Sequence, residues 1–292
     1  MPWGLGVVDG SSADGWQFRI VQRLSDAEVA RYNEAIGVLL RFNPERHPFG
    51  LVQLSYEQYR EKVDEFAAAF ASGPPRPSPA LALFEITAKL VEWLSCSRRF
   101  LAQVETDLKQ RYGRRSTEWG NFEAARQREY AGSASYRFMY KLRDYSDHCG
   151  PPLGKLNFTQ QYDDHGQPVS VFQVFFNRDS LLQKFNRWDI VEKDLRQWPE
   201  FIEVGPHMDR AMRSLDTLVL ELAKMEAPAM IAEAEFVERF VAPVAKSPGE
   251  PHIFYEELSS HQPAQPVPPM RLIRVPMEFV EHVLRFREDR AS

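Results

Sequence analysis

The residues best suited to chemistry lie near the middle of the chain, where positions 143 to 148 read R-D-Y-S-D-H. Metal-free cleavage of RNA needs a group that moves the proton of a 2′-hydroxyl and a cation on the phosphate, whose charge grows in the transition state. Histidine titrates near neutral pH, and arginine offers a planar fork that matches two phosphate oxygens. Arg143 and His148 are therefore candidate catalytic residues. Asp144 lies one helical turn before His148 and is a candidate for orienting its ring.

The order of Arg143, Asp144, three further residues and His148 within a predicted helix resembles the motif of the HEPN superfamily, which is Arg, a polar residue, a short spacer and His. The resemblance covers residues from about 20 to 150. It implies a helical bundle, frequently dimeric, whose paired motifs form a metal-independent ribonuclease site in toxins, antiphage-defence proteins and RNA-processing factors. It also implies relatives that keep the fold without the chemistry and bind nucleotides or partners instead.

Helix geometry favours a homodimer as the active unit. Positions five apart on an α-helix differ by about 140°, so Arg143 and His148 of one chain do not share a face. A two-fold axis would place two copies of each residue in one cleft. The same spacing also fits a purely structural role, because Arg143 with Asp147 and Asp144 with His148 form i, i+4 pairs that stabilise a helix end.

Aromatic and basic residues alternate along the same predicted helix, a pattern that suits stacking on unpaired bases beside phosphate contacts. The candidate substrate-binding residues are Tyr140, Lys141, Tyr145 and Arg137. An aromatic stripe at helical spacing is also typical of a core, and Tyr145 fits that interpretation. Tyr145 is in addition a conceivable acceptor of a nucleotidyl group from a partner enzyme.

These residues, together with what the HEPN resemblance implies, lead to two main hypotheses. The first is a metal-independent endoribonuclease that acts on single-stranded RNA as a toxin or antiphage-defence effector and is held in check by an antitoxin or other regulatory partner. The second is a non-catalytic HEPN-like helical scaffold that binds a protein, RNA or nucleotide. We expect no cofactor and no metal, because no second cluster with ligand spacing accompanies His165 in its predicted hairpin turn.

Composition restricts the class of protein further. The net charge of -5 argues against a basic surface that grips nucleic acid along its whole length. The N-terminal segment lacks the pattern of a secretory signal, and no window approaches 18 apolar residues, so we expect a cytoplasmic protein without a membrane contact. The two cysteines, Cys96 and Cys149, are expected to be buried or half-buried thiols without a redox or metal role.

The predicted fold class is mainly α, with a HEPN-like helical bundle over 20–152 and an α+β region after it. The later ranges are a β-hairpin and helical region over 153–246, and a proline-rich segment with a C-terminal amphipathic helix over 247–292. Helical periodicity and capping patterns predict helices at 25–42, 55–70, 80–112, 118–130, 135–148, 178–186, 189–198 and 276–286. They also predict helix over 205–246, either as one helix or as two that are broken near Pro228. Strands are predicted at 16–21, 155–162 and 168–176, and the proline-containing stretches at 247–251 and 261–269 are expected to be irregular.

Overall fold

A computed structural model describes residues 2–10, 17–42, 47–73, 76–162, 168–256 and 270–291. Over these residues the protein is mainly helical with two small antiparallel sheets, which agrees with the predicted mainly α class. The chain divides into two compact units, one formed by Met1–Arg46 with Glu226–Ser292 and the other by His47–Met225. The two units do not coincide with the ranges 20–152, 153–246 and 247–292 that were predicted from the sequence.

The elements are numbered in chain order. The helices are α1 (Asp26–Leu39), α2 (Pro48–Ala71), α3 (Pro79–Tyr112), α4 (Thr117–Gly132), α5 (Ala134–Cys149), α6 (Arg178–Lys184), α7 (Ile190–Gln197), α8 (Val204–Val241) and α9 (Met277–Ala291). The strands are β1 (Trp3–Asp9), β2 (Gln17–Leu24), β3 (Leu153–Tyr162), β4 (Pro168–Asn177), β5 (Phe201–Glu203), β6 (Glu250–Glu256) and β7 (Met270–Arg274). The prediction for α8 left open a break near Pro228, and the structure has a single helix that contains this proline.

The first unit is built around a four-stranded antiparallel sheet in the order β2-β1-β6-β7. Its core combines buried residues of β1 and β6, such as Leu5 and Ile253, with apolar residues of α1, α8 and α9. The prediction that 247–251 is irregular was wrong at its end, since β6 begins at Glu250. This strand is held by pairing with β1, which lies more than 240 residues away in the sequence, so local composition does not reveal it.

Helix α1 begins where its capping box predicts. The Ser25 hydroxyl accepts a hydrogen bond from the backbone N–H of Glu28 at 3.2 Å, and the Glu28 carboxylate accepts one from the N–H of Ser25 at 2.7 Å. Two of the amides that a helix start leaves without partners are thereby satisfied. A short 3-10 turn over Leu40–Phe42 follows the helix.

The second unit is dominated by α2, α3 and α5. Helix α2 begins at Pro48, so the prediction of a start at the S-Y-E-Q sequence of 55–58 was wrong. Ser55 lies inside the helix, where its hydroxyl donates to the carbonyl of Leu51 at 2.8 Å. The true start uses His47, whose Nδ1 accepts from the N–H of Phe49, together with proline in the first turn.

The second unit also carries a three-stranded antiparallel sheet in the order β3-β4-β5. The predicted hairpin is confirmed by the pairing of β3 with β4, and its turn lies outside the described residues. Val174 and Phe176 of β4 are buried, and the Phe176 ring contacts Phe138 of α5 with centroids 5.4 Å apart. The sheet is thus one of the surfaces against which α5 is fixed.

Two glycines of the first unit give a matched test of this fold. A Cβ atom at Gly6 would lie 2.1 Å from the carbonyl oxygen of Arg19, at the irregularity where the β1–β2 register shifts, whereas a Cβ at Gly37 in α1 would meet nothing within 4 Å. We expect Gly6→Ala to lower the free energy of unfolding by about 2 kcal/mol or more, and Gly37→Ala to raise it by about 0.5 to 1 kcal/mol. Urea denaturation of both variants measures this, and a Gly6→Ala protein as stable as the wild type would contradict the β1–β2 pairing.

Candidate functional site

Helix α5 carries the whole R-D-Y-S-D-H sequence, as predicted. The helix begins at the N-cap Ser133, whose hydroxyl accepts from the N–H of Tyr136, and it ends at Gly150, whose φ of 100° favours glycine. One face is buried, through Tyr136, Phe138, Met139, Leu142 and Tyr145. The motif residues therefore lie at the C-terminal end of a helix that the core holds in place.

Arg143 is paired with carboxylates of its own helix. Its Nη1 lies 2.8 Å from Asp147 Oδ2 and 3.6 Å from Asp144 Oδ1. Asp144 thus contacts Arg143, and no hydrogen bond joins it to His148 in the structure. The orientation of His148 by Asp144 that we expected from the i, i+4 spacing is not formed in the single chain.

His148 lies exposed at the last turn of α5. Among the described residues it has neither a hydrogen bond nor an ion pair. Its imidazole is therefore accessible to a ligand. Arg143 is also reachable from solvent, with 38% of its side chain exposed.

The inner side of Arg143 faces a narrow cavity of about 20 Å³ between α3, α5 and α8. Four residues that line it carry a polar atom that is sealed from solvent and has no hydrogen-bond partner in the described part of the chain. These atoms are Trp93 Nε1, Ser97 Oγ, Tyr136 OH and Arg143 Nε. Leaving a buried donor unpaired costs about 1 to 3 kcal/mol, so an acceptor that entered this cavity would be stabilised by these groups.

The four candidate substrate-binding residues differ in how accessible their side chains are to a ligand. Tyr145 is 2% exposed and stacks on Trp188, so its ring belongs to the core and offers no face to a base. Its burial also raises the pKa of its hydroxyl. Tyr140 is half-buried, and the guanidinium of Arg98 covers its ring at 4.2 Å.

The two basic candidates, Arg137 and Lys141, form ion pairs with carboxylates in α7 and just before it. Arg137 binds Asp194 through Nε at 2.5 Å and Nη2 at 2.7 Å, and donates to the backbone carbonyl of Ala131. This hydrogen bond to Asp194 raises the pKa of Arg137. Lys141 Nζ lies 2.5 Å from Asp189 Oδ2. Both residues therefore tie α5 to the region of α7, and a phosphate would have to displace a carboxylate to reach them.

Sequence reasoning missed a second and larger site at the opposite end of α5. A pocket of about 430 Å³ is lined by the end of α4, the start of α5 and one face of α8, and we call it the Ser135–His207 pocket. His207 is half-buried, with its Nδ1 3.0 Å from Ser135 Oγ and its ring centroid 4.2 Å from that of Trp198.

Ser135 and His207 lie 72 positions apart, and neither belongs to a recognisable motif. The sequence signals at these positions indicate only helix starts. Ser133 and Ser135 mark the start of one helix, and the G-P-H sequence of 205–207 marks the start of another. Nothing in those signals pairs the two segments. Only the packing of α5 against α8 brings their side chains together.

Both cysteines have the state predicted for them, since Cys96 and Cys149 are free thiols of intermediate burial. The described part of the chain contains no group of three or more His, Cys, Asp or Glu side chains placed to hold a metal ion, and His165 lies outside it. None of the described helices has both the length and the apolar character needed to cross a membrane. Comparison of the chain with known protein families, with curated proteins and with solved structures finds no match.

The environment of His207 leads to a prediction about pH. Burial, with a smaller contribution from Arg210, lowers the pKa of His207 to about 4. An unfolded histidine has a pKa near 6.5, so between pH 6.5 and 4 the unfolded chain takes up a proton that the folded chain does not. The free energy of unfolding must therefore fall as the pH drops through this window. We expect His207 to contribute a loss of about 1 to 2 kcal/mol between pH 7 and pH 5.

Urea denaturation at both pH values measures this loss in the wild type and in His207→Gln. The variant should show a smaller loss, and the difference separates His207 from other titrating groups. His148→Gln is the matched control because it replaces an exposed histidine, and its loss should exceed that of His207→Gln. Equal losses in the wild type and in His207→Gln would show that His207 is not the group responsible.

Proposed function

We propose that the chain is a metal-independent endoribonuclease of HEPN type, with Arg143 and His148 contributed by two protomers. The observation that supports this most directly is the exposed His148, which has no side-chain partner among the described residues and lies at the end of the helix that carries Arg143. An unpaired imidazole can accept a proton and return it, as cleavage through a 2′-hydroxyl requires. On this proposal the substrate is single-stranded RNA.

The ion pairs of Arg143 suggest how the site would work. In the single chain the guanidinium is neutralised by Asp147 and Asp144. A scissile phosphate would replace Asp147 at the guanidinium, because phosphate accepts the same pair of charge-assisted hydrogen bonds. Asp144 would then keep the arginine in position. The His148 of one protomer and the Arg143 of its partner would face the same phosphate, which the angular separation within one helix does not allow.

The setting proposed for this activity is that of a toxin or antiphage-defence effector in the cytoplasm. Such an enzyme needs a partner that restrains it, and an antitoxin or other regulatory protein is proposed for that role. A partner that covered the end of α5 would block His148 directly, because this residue is exposed.

RNA cleavage in the presence of EDTA tests the proposal. We expect the purified protein to cut single-stranded RNA with a chelator present, and the Arg143→Ala, His148→Ala double variant to cut at least about a hundredfold more slowly, since general acid–base catalysis alone contributes that much. The matched control is the Arg196→Ala, His282→Ala double variant. It removes an arginine that is paired with a carboxylate one turn away, and an exposed histidine of α9. Equal rates for the two double variants would contradict the proposed site.

Mixing single variants tests the requirement for two protomers. Neither Arg143→Ala nor His148→Ala should cut RNA alone, but a mixture that is allowed to exchange subunits should regain part of the wild-type rate. The regained activity follows because a mixed dimer contains one site with an intact Arg143 and an intact His148. A mixture that stays inactive, or a wild-type enzyme that is active as a monomer by sedimentation, would contradict the two-protomer site.

A second candidate function is that of a non-catalytic helical scaffold that binds a protein, RNA or nucleotide partner. The observation that favours it is that Arg137, Lys141 and Arg143 all have carboxylate partners within the chain. On this alternative the motif serves mainly to stabilise the end of α5. The Arg143→Ala, His148→Ala variant would then lower the melting temperature while binding of the partner persisted.

A further inference from the structure

The Ser135–His207 pocket lies at the start of α5, whereas the proposed ribonuclease motif lies at the end of this helix. Its volume of about 430 Å³ is within the range of pockets that hold small ligands. It belongs wholly to the unit His47–Met225. None of the residues proposed for RNA cleavage lines it, so its function requires a separate explanation.

Two arginines on one face of α8 give the pocket its charge. Arg210 and Arg213 both line it, and their spacing of three places them on the same side of the helix. Both are exposed, and neither forms an ion pair with a carboxylate of the described residues. They differ in this from Arg137 and Arg143, whose guanidinium groups are already occupied.

The start of α5 adds a second source of positive potential. The first amides of a helix have no acceptor within it, and the aligned peptide dipoles place a partial positive charge at this end. The N-cap Ser133 and the next two residues, Ala134 and Ser135, line the pocket. The first turn of a 16-residue helix therefore faces the same space as the two arginines.

A nearly buried serine side chain without a hydrogen-bond partner in the described part of the chain supplies independent evidence for a ligand. Ser214 is 5% exposed, lines the pocket, and has no hydrogen bond from its side chain among the described residues. Its neighbour in the wall, Ser135, is already bonded to His207. Ser214 therefore has a donor to offer to an acceptor that occupies the pocket.

His207 completes the polar wall. A low pKa keeps its ring neutral near pH 7, so one ring nitrogen is a donor and the other an acceptor. If Ser135 donates to Nδ1, the hydrogen lies on Nε2 and can be donated to a ligand. Glu129 is the one carboxylate among the described residues that line the pocket, so the two arginines leave an excess of positive charge.

We propose that the Ser135–His207 pocket binds a phosphate monoester, with Arg210 and Arg213 on the phosphate oxygens, the first turn of α5 facing them and Ser214 donating a further hydrogen bond. A phosphate monoester carries close to two negative charges at neutral pH and several acceptor oxygens, which matches a site made of donors and cations. Phosphate groups are characteristic ligands of helix N-termini. A phosphate alone would not fill the pocket, so the rest of the ligand, a nucleoside or the terminal nucleotide of an RNA, would occupy the remaining volume.

Calorimetric titration of the full chain tests the proposal, with three probes: inorganic phosphate, a nucleoside 5′-monophosphate, and a short RNA with and without a 5′-terminal phosphate. We expect saturable binding of the nucleoside monophosphate or of the phosphorylated RNA, tighter than that of inorganic phosphate. A preference for the free nucleotide would identify a nucleotide pocket. A preference for the phosphorylated RNA over the unphosphorylated RNA would identify a sensor of RNA ends. Absence of binding for all the probes would overturn the proposal.

Matched variants locate the site. The Arg210→Gln, Arg213→Gln double variant should weaken binding at least about tenfold, since two charge-assisted contacts are lost. The Arg187→Gln, Arg239→Gln double variant removes two exposed arginines elsewhere and should bind as the wild type does. Ser214→Ala is a milder second variant, expected to weaken binding about twofold to tenfold. Equal affinity of the wild type, the Arg210/Arg213 variant and Ser214→Ala would overturn the assignment to this pocket.

The titration also separates this proposal from that of RNA cleavage. The Arg143→Ala, His148→Ala variant should keep the wild-type affinity for the nucleoside monophosphate, because neither residue lines the pocket. Loss of cleavage with intact binding would support both sites. Loss of nucleotide affinity in this variant, with an unchanged melting temperature, would mean that the phosphate is bound at the motif, and it would overturn the pocket.

Discussion

The buried ring of Phe138 is the contact on which both ends of α5 depend. It is fully buried, and its centroid lies 5.2 to 6.1 Å from those of Phe176, Trp188, Trp198 and His207. These four residues come from β4, from the segments around α7 and from the start of α8. Aromatic rings bury large areas and prefer edge-to-face or offset contacts, so they restrict both the distance and the orientation of the elements that carry them. The Ser135–His207 pocket and the R-D-Y-S-D-H sequence are therefore fixed by one layer of the core.

Much of the helical part of this fold could be predicted from the sequence, because its signals are local. The predicted ranges 80–112 and 135–148 agree with α3 and α5 to within a residue or so, and the capping box at Ser25 is formed as predicted. A local pattern also misled, since Ser55 has the residues of a capping box but lies inside α2. The strand β1 was missed for a physical reason. It is buried on both faces from Gly4 to Val8, so it shows no alternation of polar and apolar residues.

In the candidate sites too, features formed within one helix could be predicted from the sequence, whereas contacts between distant segments could not. The motif of Arg143 and His148 lies within six positions, so the sequence could suggest it. The ion pairs of Lys141 and Arg137 could not be predicted, because their partners Asp189 and Asp194 lie 48 and 57 residues later. The Ser135–His207 pocket could not be predicted either, because its lining residues come from segments that are far apart in the sequence. Ionic partners within a helix follow from its period, but partners between helices follow only from the packing.

The direction of α5 has consequences for where a phosphate is bound. Ser135 and His148 are 13 residues apart, or about 20 Å along the helix. The start of α5 is its positive end and faces Arg210 and Arg213, so that end attracts a phosphate without help from another chain. The other end presents the last carbonyls of the helix, and Asp144 and Asp147 already neutralise Arg143 there. A phosphate beside His148 would need cations from a second protomer to offset this negative potential. The electrostatics of one helix thus lead to the same requirement as the angular separation of Arg143 and His148, namely that the proposed cleavage at this end would depend on a dimer.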